Sequence, residues 1–275
     1  MSHYDTVHRM GGLQDVLLDD EGYLYAPNSS CLGADCGTGV WLCLELIRAG
    51  VEGVYVIHAD EEIGCVGSTA LVKDNPSWLE HVDFAISFDR FGYDSVITHQ
   101  MGQKSASGDF ASSFGDAVDM GEDHVWQPDS GGVFTDSAEY VSVVSECTNI
   151  SVGYFNQHTS KETQDYGFAY DLRDALVATD WSQLVAKRDP SLTEWDERWE
   201  RLMGERQETG GIHWSTAWSD IATDDDNKDP EYETMADMVH AHPEEVAKML
   251  RAYGFTTYDL AEEIGLSSYP AGCAA

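Results

Sequence analysis

The sequence predicts a three-layer α/β/α sandwich around a mostly parallel mixed sheet, followed by a C-terminal helical appendage. Runs with the β-branched, aromatic character of buried strands recur at Gly53–Ile57, Val82–Asp89 and Asn149–Tyr154. Helix-like stretches lie between and after them, at Val40–Ala49, from near Ser68, at Asp109–Met120 and at Tyr166–Lys187. Composition then shifts beyond Pro190 to a charged, Trp-containing helix (Leu192–Arg206), a polar linker and about three short helices over Tyr232–Leu266. The expected division is therefore a main domain over 1–190 and an acidic linker with helical appendage over 191–275.

Taken in order, the elements deliver chemistry at their ends. Near the start, His3 and Asp5 are spaced i, i+2, which on an extended strand points them to one side. An imidazole that binds a metal usually hands its other N–H to a carboxylate, and Asp5 is placed to receive it. Leu13–Tyr25 reads as a hairpin turning at Asp19-Asp20-Glu21-Gly22. The run Gly33-Ala34-Asp35-Cys36-Gly37-Thr38-Gly39 then enters an apolar helix ended by Gly50, and its glycines suggest a tight turn presenting Asp35. A phosphate-binding loop is the rival, but the helix-proximal lysine of such a loop is absent.

The strand Gly53–Ile57 ends in His58-Ala59-Asp60-Glu61-Glu62-Ile63-Gly64. Adjacent carboxylates repel, so keeping both ionised in a crevice requires a strong local positive charge. A bound metal supplies it: one carboxylate ligates and the other stays free as a base. Taken alone, such a pair is far more often a solvated acidic turn. Further ligand types arrive elsewhere, with Asp89 closing its strand and Asn156-Gln157-His158-Thr159 following another, with Glu162 and Asp165 beyond. Gly131–Asp136 reads as a glycine-rich loop entering a short helix.

The formal charge is −35 over 275 residues, from 50 acidic and 15 basic side chains. This excludes the basic patches that nucleic-acid or anionic-membrane binding needs. The acids are scattered along the chain, which favours a surface suited to concentrated salt over a polyanion mimic. No apolar run approaches the roughly 20 residues of a membrane span. The first ten residues contain His3, Asp5, His8 and Arg9, not the apolar stretch of a signal peptide. The six cysteines show no C-x-x-C spacing, so reduced thiols in a cytoplasm are expected.

With these motifs assembled, the chain resembles the di-zinc exopeptidase superfamily, which includes carboxypeptidase G-type, peptidase T-type and bacterial leucyl aminopeptidase-type enzymes. Five ordered motifs carry the likeness: His3-x-Asp5-Thr6-Val7, Gly33-Ala34-Asp35-x-Gly37-x-Gly39, Asp60-Glu61-Glu62-Ile63-Gly64, Phe88-Asp89 and Asn156-x-His158-Thr159. Asp136 resembles a further acidic position of the leucyl aminopeptidase branch. The resemblance implies a hydrolase acting on peptide or N-acyl amide bonds with two Zn2+ (Co2+ or Mn2+ as substitutes). His3 and Asp89 would hold one ion, Glu62 and His158 the other, and Asp35 would bridge them. Asp5 would orient His3, and Glu61 would be the general base. The rival from another class is a non-catalytic, metal-binding relative that serves as an interaction protein.

Three departures accompany the match. Many relatives carry an Asp where Cys36 stands, so its thiol is expected to perturb Asp35 or to act as an extra soft ligand. The stretch between Asp89 and His158 leaves no room for the lid of the carboxypeptidase branch. Relatives also carry a helix and strands before the H-x-D motif, whereas His3 has two residues before it, so this end is expected to fray and to hold its metal more weakly.

Overall fold

The computed structural model describes residues 1–9, 11–121 and 124–192, with Pro243 alone beyond them. Residues up to Leu192 fall within one compact unit, Met1–Arg201. Apart from its first two residues and Pro243, the expected appendage over 191–275 lies outside the described residues, as does Cys273.

The elements run β1 (Ser2–His3), β2 (Leu17–Leu18), β3 (Tyr23–Tyr25), α1 (Ala34–Ala49), β4 (Ile57–His58), α2 (Val66–Asp74), β5 (Phe84–Arg90), β6 (Ser95–Ile97), β7 (His99–Gln100) and β8 (Gln103–Lys104). They continue with α3 (Gly108–Ala117), β9 (Gln127–Asp129), a 3-10 turn at Asp136–Tyr140, β10 (Glu146–Ser151), β11 (Tyr154–Phe155), β12 (Thr163–Asp165) and α4 (Tyr166–Ala178). The mixed sheet expected from the sequence is present. β10 pairs in parallel with β5 and antiparallel with β6, and β6 pairs in parallel with β9. A hydrogen bond from Phe88 N to Met1 O joins β5 to β1, which pairs in parallel with β4. The spatial order is therefore β4-β1-β5-β10-β6-β9. A second, antiparallel sheet, β11-β12-β3-β2, contains the predicted hairpin.

Strand alternation sorts the core into two faces. Ile86, Phe88 and Ile150 pack with Leu42, Leu46, Phe110, Phe114, Leu172 and Leu176 from α1, α3 and α4. On the other face Ala85 and Cys147 pack with Leu79, Tyr140, Val141 and Val144, with Leu71 and Val72 of α2 against them. Those two faces and the sheet between them are the three layers. Gly39 lets α1 lie directly on the sheet, because a Cβ there would sit 2.2 Å from Phe88 O.

Three expectations change. The strand predicted over Gly53–Ile57 shrinks to Ile57–His58, and Val54 is 65% exposed. β4 is an edge strand, and an edge leaves one side of an apolar run without a covering neighbour. The helix predicted over Tyr166–Lys187 stops at Ala178, where Thr179 turns extended and Asp180 caps a new 3-10 turn at Trp181–Gln183. The chain start is not an exposed, unpaired end: Ser2 and His3 are both buried in parallel pairing with Ile57 and His58.

Past the last turn, Lys187 N and Arg188 N donate to Glu146 Oε1, both at 2.9 Å, while Ser107 N donates to Glu146 Oε2 at 2.6 Å. The buried Arg188 guanidinium donates to the carbonyls of Val141, Val144 and Ser145. A buried carboxylate and a buried guanidinium are tolerable only when hydrogen-bonded in this way.

Candidate metal centre

The parallel strands β1, β4 and β5 share one direction, so their carboxyl ends open onto one rim, the customary place for a site in such sheets. His3 ends β1, Glu61 and Glu62 follow β4, and Asp89 lies near the end of β5. Asp35 arrives from the first turn of α1, and His158 from the loop after β11. Gly67 permits the turn after β4 to close, since a Cβ there would meet Ala59 O at 2.7 Å.

These side chains converge. His3 Nε2 lies 3.3 Å from Asp35 Oδ1, 3.4 Å from Asp89 Oδ1 and 3.8 Å from Glu61 Oε2. His158 Nε2 lies 3.1 Å from Asp35 Oδ2 and 3.0 Å from Glu62 Oε2. Each oxygen of Asp35 thus faces a different imidazole. Glu61 and Glu62, neighbours in the chain, diverge towards different histidines.

Asp5 does more than the sequence suggests. His3 Nδ1 bonds to the Asp5 carbonyl at 3.0 Å, with the carboxylate 3.5 Å away. The two carboxylate oxygens instead accept the backbone N–H groups of Glu61 (3.2 Å) and Glu62 (3.1 Å). Asp89 is held from all sides. Thr135 Oγ1 donates to its Oδ2 at 2.7 Å and Tyr154 OH to its Oδ1 at 3.3 Å. Asn149 brackets its backbone by accepting from Asp89 N and donating to Asp89 O. Thr135, Asn149 and Tyr154 were not among the site candidates read from the sequence, because their bonds to Asp89 span 46 to 65 residues and leave no local spacing signal.

Cys36 is fully buried, donates to Phe88 O at 3.1 Å and lies 3.0 Å from Ser2 Oγ. Its Sγ also lies within 4.8 Å of ligand atoms of His3 and Asp89. Burial, with the charges of Asp89 and Asp35, pushes this thiol well above its ordinary pKa. Asp136 is buried with neither carboxylate oxygen hydrogen-bonded, and burial lifts it to about 6. The other described cysteines, Cys31, Cys43, Cys65 and Cys147, are buried and unpaired.

Protons bear the site's charge when no metal does. Burial opposes charge on His3, yet the Asp35 and Asp89 carboxylates beside its Nε2 raise it to about 12. His158 is raised to about 10 by its bonds to Asp35 and Glu62. Burial acts to push Asp35 up, but the two imidazoles win and hold it below the usual carboxylate range. Burial and the Asp89 charge push Glu61 up to about 9. Burial also raises Glu62 and Asp89.

The donor set fits a divalent transition ion. His3, Asp35 and Glu62 each offer an atom within 4.8 Å of the others, and His3 Nε2 and Glu62 Oε1 are buried with no hydrogen-bond partner. Two donors about 2.0–2.1 Å from one tetrahedral ion stand about 3.3 Å apart, matching the spacing of His3 Nε2 from the two aspartates. Imidazole with carboxylate suits zinc and its first-row neighbours.

The sequence profile of peptidase family M28 matches residues 1–166. Among solved structures, the aminopeptidase PepT from Bacillus cereus ATCC 10987 superimposes with a TM-score of 0.53 at 14% identity, covering 64% of this chain and 78% of that one. An aminopeptidase from the archaeon Desulfurococcus kamchatkensis gives 0.45 at 17% identity, covering 67% of this chain and 54% of that one. A tripeptidase from Staphylococcus aureus subsp. aureus mu50 gives 0.45 at 13%, covering 64% and 78%. No curated protein matches the chain. Among the described residues no helix is long and apolar enough to cross a membrane. The Bacillus structure shares the fold, and the profile spans more than half of the sequence: the chain belongs to peptidase family M28, a family of metal-dependent peptidases.

Proposed function

We propose that this protein is a two-zinc exopeptidase that removes residues from the amino end of peptides. The observation that carries the reading is the Asp35 carboxylate, with Oδ1 3.3 Å from His3 Nε2 and Oδ2 3.1 Å from His158 Nε2. A carboxylate facing one imidazole on each oxygen is suited to span two ions. His3 and Asp89 would hold one and Glu62 and His158 the other, with Co2+ or Mn2+ as substitutes for Zn2+. Aminopeptidase is the activity in the names of the Bacillus and Desulfurococcus proteins, and the reading adopts it over carboxypeptidase or N-acyl amide hydrolysis.

When bound, the ions would polarise the scissile carbonyl and lower the pKa of the attacking water. Glu61 takes a proton from that water through its carboxylate and returns it to the leaving amine as the carbon–nitrogen bond breaks. Burial and the Asp89 charge favour the protonated form of Glu61, and bound cations would favour the ionised form that can accept a proton. Asp5 fastens the backbone of Glu61 and Glu62, so one carboxylate faces the His3 side and the other the His158 side. Thr135, Tyr154 and Asn149 fix the direction of Asp89.

The test pairs metal analysis of the purified protein with a panel of aminoacyl, N-acyl and dipeptide substrates. Glu61→Gln keeps shape and hydrogen-bonding capacity while removing the base. It should retain both ions and lose roughly 10²–10⁴-fold in rate. A fully loaded wild-type protein that turns over nothing in the panel would leave a non-catalytic metal binder. Equal rates for wild type and Glu61→Gln would remove Glu61 from the mechanism.

A further inference from the structure

One buried carboxylate near the site is not accounted for by metal binding or proton transfer. Glu162 is 2% exposed and lies four residues beyond His158. Its Oε2 accepts the backbone N–H groups of Leu32 at 2.8 Å and Gly33 at 2.9 Å, and its Oε1 accepts that of Asp35 at 3.0 Å. Three amides from the turn that presents Asp35 therefore converge on an anion some 127–130 residues away in sequence. Such a concave set of N–H groups favours negative charge. A neutral amide in its place would offer one acceptor oxygen and set its own N–H groups against donors.

The other end of the link is equally fixed. Glu162 N donates to Thr159 O at 3.1 Å, Lys161 N to Thr159 Oγ1 at 3.2 Å, and Thr159 Oγ1 to Asn156 O at 2.7 Å. The loop carrying His158 is thus closed on itself from Asn156 to Glu162. Just beyond, Gln164 Oε1 accepts Thr38 Oγ1 at 2.5 Å, a second tie to α1. The two tied segments are those whose side chains meet at His158 Nε2 and Asp35 Oδ2, 3.1 Å apart.

We propose that Glu162 is a positioning residue that locks the Asp35 turn to the His158 loop, so that both ligands stand ready before a metal arrives. The proposal rests on the two-ion reading above. Charge-assisted bonds of this kind are about twice as strong as neutral ones, and removing partners that orient metal ligands typically costs 10–100-fold in metal affinity. A purely structural Glu162 would instead lower the stability of the fold and leave metal binding by the folded protein unchanged.

The test uses Co2+ as both probe and ligand, in wild type and Glu162→Gln, at a temperature where circular dichroism shows each folded. Glu162→Gln should bind cobalt about 10–100-fold more weakly and, at saturation, show altered visible d–d bands. Unchanged bands with affinity within about twofold of wild type, well below that range, would overturn the proposal. A wild type that binds no cobalt would overturn the two-ion reading as well, so the two failures are distinguishable. Amide hydrogen exchange of metal-free wild type gives an answer that does not depend on how the variant folds. The amides of Leu32, Gly33 and Asp35 should be protected, and exchange at the rate of an open loop would overturn preorganisation.

Discussion

His3 and His158 approach Asp35 from opposite sides, and the protein supports them by opposite means. The His3 side chain is 1% exposed, on a strand between two parallel neighbours, with its Nδ1 bonded to the Asp5 carbonyl. That of His158 is 48% exposed, on a loop where Asn156 and His158 both take left-handed backbone, φ 54° and 63°. One half of the centre is an extension of the sheet; the other depends on local turns and the tether through Glu162. This reverses the ranking drawn from sequence position, in which the chain start was the looser end.

The largest expected difference lies in substitution of the two histidines. His3→Ala would leave Asp35, Asp89 and Glu61 buried without their common partner, a loss of roughly 3–5 kcal/mol in the metal-free protein. His158→Ala removes a half-exposed partner and should cost about 1 kcal/mol or less. Thermal unfolding in chelator should therefore separate the variants by roughly 4–16 °C for a domain of this size. In wild type, chelator titration should remove the His158-side ion first. Equal melting temperatures, or release from the His3 side first, would erase the distinction between the halves.

A smaller effect comes from pH. The folded pKa values of His3 and His158 are raised, to about 12 and about 10, so their stabilisation is full below the ordinary value of 6.5 and is lost as pH rises towards those values. Glu61, raised to about 9, acts in the same direction, because the folded protein holds its proton longer than the unfolded chain. Asp35 acts oppositely, but its window lies below 3.8. Metal-free protein should melt several degrees lower at pH 9 than at pH 6.5, and metal-loaded protein should change much less. Parallel melting curves for the two forms would contradict the view that protons and metal ions serve the same carboxylates.

Salt should act outside the comparison. Raising ionic strength from 0.1 to 1 M shortens the Debye length from about 10 to about 3 Å, relieving repulsion among charges that sum to −35. Wild type and His158→Ala should both gain a few degrees in melting temperature. A flat or falling response would remove the high-salt interpretation of the composition.

What the sequence made legible was spacing, and what it hid was direction. His3, Asp35, Glu61, Glu62, Asp89 and His158 could be nominated because ligand types at strand ends and turns fall in the order of a family's motifs, and the fold brings all six together. The hydrogen bonds that aim them could not be read, since Glu162 and the Asp35 turn are joined only through the fold. Cys36 illustrates the same gap. Its position beside Asp35 suggested a perturbing neighbour or an extra soft ligand; its Sγ stands within 4.8 Å of ligand atoms of His3 and Asp89, and it also donates to Phe88 O, an acceptor 52 residues away. Likewise the apolar Gly53–Ile57 run carries no mark of whether a neighbour covers it, so its edge position was invisible.

The strap formed by Lys187 and Arg188 bears on how this unit could be inherited or exchanged. The family profile ends at residue 166, but the structural interdependence does not. Glu146 draws two of its four donors from 187–188, and three carbonyls around β10 are satisfied by Arg188. Recombination at the profile boundary would strand a buried anion at the foot of the strand that leads to His158. A piece able to travel between genes as a working whole must therefore reach at least Arg188, some twenty residues beyond the end of the profile match.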